Sequence, residues 1–125
     1  MKKIFADTSY WIALIDRNDM LYKKAKDLPI GFNLFHIFTT QLVIIEFLNA
    51  FSNRGTHLKR AAYLSVDEIA SDSNVTVIPF DRVQLESAIA MYRKYLDKSW
   101  SLTDCVSFIV RTYAKTILTD GFCNC

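Results

Sequence analysis

Apolar and polar positions along this chain follow two rhythms, and the switches between them lay out an order of strands and helices. Lys3 to Ala6 is a short apolar run of β type. Ser9 to Ile15 continues as a helix, which the polar stretch Asp16-Arg17-Asn18-Asp19 ends. Leu21, Ala25 and Leu28 fall at helical spacing and predict a second helix over 21–28, broken by Pro29 and Gly31. Phe35 to Thr39 reads as a strand, after which Thr40 caps a helix running from Gln41 to about Ser52, stopped by Asn53-Arg54-Gly55. A helix over 57–71 turns Ala61, Ala62, Ser65 and Ile69 inward, and Val75 to Phe80 is rich in β-formers. Leu85, Ala88, Ile89, Tyr92 and Leu96 recur at i, i+3, i+4, i+7 and i+11, and Leu102, Val106, Ile109 and Tyr113 mark a last helix. Ile117-Leu118 predicts a closing strand.

Strands alternating with helices indicate an α/β fold with a mainly parallel sheet covered on its faces. Ligands of such sheets bind beyond the carboxyl ends of the strands. The chain has no internal repeat, low-complexity tract or linker. Its 125 residues, 51% of them hydrophobic, suit one domain over 1–125 with a single sizeable core.

Charge changes this picture little. Fifteen Lys and Arg against thirteen Asp and Glu give +2, which neither demands nor excludes a nucleic-acid partner. Three cysteines make no even disulfide framework, so a reduced, cytoplasmic setting is expected. Cys123 and Cys125 lack the neighbouring Cys or His that a soft-metal site needs. The start, Met1-Lys2-Lys3 before an apolar stretch, is interrupted by Asp7 and has no small-residue cleavage pattern, which argues against a signal peptide. No run approaches 18 uncharged apolar residues, so no membrane span is expected.

Four acids carry the candidate chemistry. Asp7 leaves the first strand, where a carboxylate is costly to bury unless it is paired or metal-bound. Helix capping is its structural alternative, although Thr8 and Ser9 could serve that role. Glu46 is one acid within the apolar segment 42–48, and it shares a helix face with Asn49 and Asn53. Asp104 fits a capping box with Ser101 as readily as it fits a site. Asp120 follows the apolar run 116–119 within an ordinary turn sequence, Thr119-Asp120-Gly121. Since Asp7 and Asp120 both follow strands, both are expected at the carboxyl edge of the sheet. Carboxylates gathered there would repel one another unless a hard divalent cation joined them.

Other chemistry has less support. His36 and His57 lack metal-ligand spacing, and neither a Gly-rich phosphate loop nor a G-x-S-x-G elbow occurs. An aspartyl-phosphate phosphatase would need a second acid two residues after Asp7, where Ser9 stands. The basic stretch 54–60, with Arg54, Lys59 and Arg60, could touch RNA phosphates or simply be a solvated connection.

Phe5-Ala6-Asp7-Thr8-Ser9, the segment from Thr40 through Glu46 to Asn49-Ala50, and Asp97 to Phe108 with its Trp-Ser-Leu-Thr-Asp-Cys run together resemble a PIN domain. The resemblance is to the ribonuclease toxins of the VapC type in type II toxin–antitoxin pairs. It implies a three-layer α/β/α sandwich and Mg²⁺- or Mn²⁺-dependent endoribonuclease activity leaving a 5′-phosphate and a 3′-hydroxyl. Asp7, Glu46 and Asp104 would take the principal acidic positions, Asp120 a fourth metal position, and Thr8 and Thr103 flanking hydroxyl positions. An RNA substrate, a cognate antitoxin and a homodimer are implied as partners. Leu118-Thr119-Asp120 lacks the spacer of the Leu-Thr-x-Asp pattern, and Gly121 to Cys125 depart from the usual continuation. The alternative is therefore a shortened, catalytically weak or inactive module that binds without turnover.

Overall fold

Four parallel strands form one sheet in the order β3-β2-β1-β4, within the computed structural model that describes residues 2–16, 35–113 and 120–122. Along the chain these residues give β1 (Lys2–Ala6), α1 (Thr8–Ile15), β2 (Phe35–Thr40) and α2 (Gln41–Ala50). Then follow α3 (Gly55–Ser71), β3 (Val75–Ile78), α4 (Arg82–Lys94), α5 (Leu102–Tyr113) and β4 (Asp120–Phe122). The expected helix over 21–28, the strand at Ile117-Leu118 and the terminal Cys123 and Cys125 lie outside the described residues.

Side-chain alternation on the strands creates two cores. Ile4, Ala6 and Ile37 face one side of the sheet, where Trp11 and Ala13 of α1, Val43 and Phe47 of α2 and Ala62 and Ile69 of α3 pack against them. Phe5 and Phe38 face the other side, against Ala88 of α4 and Cys105, Val106 and Val110 of α5. Two helical layers thus enclose a parallel sheet, the expected three-layer α/β/α sandwich.

Local signals set most boundaries. The Thr40 hydroxyl accepts from the Val43 N–H at 3.1 Å and starts α2, and the Asp81 carboxylate accepts from Gln84 at 2.8 Å and starts α4. Gly55 turns the chain into α3 at φ +87°, a left-handed conformation that glycine adopts without a Cβ penalty. Among the described residues, no helix is long and apolar enough to cross a membrane.

Candidate active site

β1 ends at Ala6, and Asp7 leaves the carboxyl edge of the sheet as the N-cap of α1. Its Oδ1 accepts from the Ser9 hydroxyl at 2.7 Å and from the Tyr10 N–H at 3.2 Å. Asp7 itself therefore fills the capping role that the sequence left to Thr8 or Ser9, because only a residue still extended and outside the helix aims its oxygen at these donors. Behind it, the Thr39 hydroxyl donates to the Ala6 carbonyl at 2.9 Å and accepts from Trp11 Nε1 at 3.2 Å. This buried chain ties the end of β1 to both β2 and α1.

Asp104 arrives from α5, 97 positions later. Its Oδ2 accepts from the Ser101 N–H at 2.9 Å, while its own N–H donates to the Ser101 hydroxyl at 3.0 Å. The capping box is thus formed, and it holds the carboxylate in place. Thr103 beside it is buried, and Ser107, one turn along the same face, is buried as well.

These segments meet at a cleft of about 360 Å³. Asp7, Thr8, Ser9 and Ile12 of the first strand–helix junction line it, with Thr103, Asp104 and Ser107 of α5 and the half-buried Glu46 of α2. Asn49 is exposed and is not among the lining residues. The sequence named Ser9 only as a capping candidate and gave no role to Ser107. Their signal was spacing alone: two residues after the capping Asp7, and three after Asp104 on one helix face.

Electrostatics mark Asp7 as the stressed group. Burial pushes its carboxyl above the usual value of 3.8, the Asp104 charge pushes the same way, and the bonds from Ser9 and Tyr10 oppose the rise. The Thr8 hydroxyl is buried with no hydrogen-bond partner among the described residues. A hydroxyl deprived of water in this way is suited to a ligand oxygen or a bound water.

The donor set is carboxylate and hydroxyl oxygen throughout, which fits a hard cation such as Mg²⁺ or Mn²⁺, and positive charge would relieve the strain on Asp7. The fit is that of an open site rather than a closed cage: among the described residues, no three His, Cys, Asp or Glu are grouped closely enough to hold a metal by themselves.

The remaining candidates fall elsewhere. Asp120 does not stand level with Asp7 beyond the sheet edge. It opens β4 opposite Ile4, three residues back along a parallel register, or about 10 Å at strand rise. Its side chain lies outside the described residues. Arg54 bonds Asp16 Oδ2 at 2.8 Å and lies 5.4 Å over the Phe51 ring, so its charge is already engaged. Lys59 and Arg60 line a second groove, which shares no lining residue with the acidic cleft. His36 Nε2 is 2.7 Å from the Thr76 hydroxyl, and Cys105 is buried within α5.

The PIN domain family model matches residues 4–107. No curated protein matches the sequence. Among solved structures, the chain is similar to the Mycobacterium tuberculosis toxin VapC20, described as cleaving the sarcin–ricin loop. The two are 25% identical with a TM-score of 0.78, over 95% of this chain and 87% of that one.

Proposed function

The chain belongs to the PIN domain family, and on that premise we propose that it is a divalent-metal-dependent endoribonuclease, the toxin of a VapC-type toxin–antitoxin pair. The observation that carries this reading is the meeting of Asp7 and Asp104 in one cleft, close enough for the charge of one to raise the pKa of the other. The described toxicity and loop cleavage of the similar VapC20 point to RNA as the substrate class.

Asp7 and Asp104 would hold the cation, each already oriented by its own capping bonds. Glu46 faces the same space and would order the attacking water. The ion would neutralise charge on the phosphoryl group and lower the pKa of a water near it. Both α1 and α5 begin at the cleft, so their first-turn N–H groups and dipoles favour a phosphate there. The buried Thr8 hydroxyl would bond a phosphate oxygen. Water adds to phosphorus, the 3′ oxygen departs with a proton, and a 5′-phosphate and a 3′-hydroxyl result. A looped or single-stranded RNA suits an open cleft best, because its backbone is accessible.

An antitoxin and a second copy of the chain are the proposed protein partners. Val83, Ile89, Tyr92 and Leu96 leave apolar surface exposed on and just beyond α4, which supports a partner surface. Light scattering tests the homodimer, and a monomer at working concentration removes it.

Incubation of purified protein with structured RNA tests the activity. Cleavage is expected with Mg²⁺ or Mn²⁺, is abolished by EDTA, and falls about a hundredfold or more in Asp104→Asn. Cleavage that persists in EDTA or in Asp7→Ala defeats the mechanism. The absence of a compact acidic trio among the described residues favours one second reading, a PIN domain that binds RNA or antitoxin without turnover. Ordinary Mn²⁺ affinity together with RNA turnover rules it out.

A further inference from the structure

A second groove, of about 440 Å³, opens where α2 hands over to α3, lined by Ser52, Thr56, Lys59, Arg60 and Tyr63 around Gly55. Lys59 and Arg60 make no ion pair among the described residues, in contrast to Arg54 beside them, which Asp16 neutralises. Tyr63 is 58% exposed and belongs to neither hydrophobic core. It follows Lys59 by one helical turn, so its face and that ammonium share one side of α3.

The charge order of α3 is unfavourable to the helix itself. Lys59 and Arg60 lie toward its positive N-terminal end, Asp67 and Glu68 toward its negative C-terminal end, with no acid in the first turn and no base in the last. A bound anion beside Lys59 and Arg60 would offset that cost. Two cations without an ion pair among the described residues, two hydroxyls and an open aromatic face are the chemistry of a single nucleic-acid strand, with phosphates on the cations and a base stacked on the ring.

We propose that this groove is an accessory RNA-binding site that holds the substrate strand outside the acidic cleft, with Lys59 and Arg60 on its phosphates and Tyr63 stacked on a base. This deepens the ribonuclease reading and rests on it for the identity of the strand. The two sites are near enough for one molecule. From Glu46 to the end of α2 at Ala50 is about 6 Å of helix rise, and Ser52 follows two residues later.

The test is fluorescence anisotropy with a labelled single-stranded oligouridylate in EDTA, which reads binding without turnover. Lys59→Ala/Arg60→Ala should weaken binding about tenfold at low salt and reduce the log–log salt slope by about 1.4, the loss of two phosphate contacts. Tyr63→Ala should weaken it about tenfold with the salt slope unchanged, and Tyr63→Phe should restore it. Unchanged affinity and slope in the double variant overturn the proposal. So does poly-glutamate competing as well as the RNA, which would assign the groove to an acidic protein partner. Binding that follows this pattern without any RNA cleavage in Mn²⁺ removes the nuclease reading and leaves the groove standing. Cleavage with binding indifferent to Lys59, Arg60 and Tyr63 does the reverse.

Discussion

Asp7 carries a structural and a chemical duty on one side chain, and substitutions can separate them. Asparagine caps a helix as well as aspartate does, while alanine cannot. Asp7→Ala should therefore lose about 1 kcal/mol of stability in thermal denaturation. Asp7→Asn should keep the cap, and both should lose metal-dependent cleavage. The raised carboxyl pKa fixes a further sign. Between the usual 3.8 and the raised value, the folded protein holds a proton that the unfolded chain has released, so stability contributed by that proton is present below 3.8 and lost as pH rises through the folded pKa. In EDTA, the melting temperature of the parent should fall relative to Asp7→Asn as pH climbs above 4. Equal slopes for the two proteins would refute the buried, strained carboxylate.

At the scale of elements, the bond from Trp11 to Thr39 to Ala6 is the tie that sets α1 against the sheet. Thr39→Val keeps the shape and leaves the buried indole N–H without its acceptor, at a cost of about 1–3 kcal/mol in denaturant titration. Ser101→Ala removes half of the α5 capping box and should cost about 1 kcal/mol. It should also lower cleavage less than Asp104→Asn does, since the carboxylate stays but is held less firmly. Elements with local signals were legible in advance. α5 begins where its capping box implies, and α2 starts where Thr40 caps it. Where the signal was apolar content alone, the bounds moved. β3 stops at Ile78 rather than Phe80 because Pro79 has no N–H to extend a ladder. α4 starts three residues before Leu85 because Asp81, a polar residue outside the apolar pattern, supplies the cap.

For the whole molecule, the parallel order β3-β2-β1-β4 brings the end of β1, the middle of α2 and the start of α5 to one cleft. Asp7 was legible as an acid leaving an apolar strand, a local signal. Asp104 was ambiguous from spacing, and it serves as both capping residue and cleft wall. Nothing in the sequence expressed the burial of the Thr8 hydroxyl or the placement of Ser107, which arise only when three distant segments pack. The strand register that sets Asp120 opposite Ile4 was equally out of reach, since register depends on pairing between chain ends.

The most direct measurement of this convergence is anomalous scattering from a crystal soaked in Mn²⁺. One peak should lie in the cleft with carboxylate oxygens of Asp7 and Asp104 about 2.1 Å away. A protein that binds no manganese there, or places it remote from both carboxylates, contradicts the account.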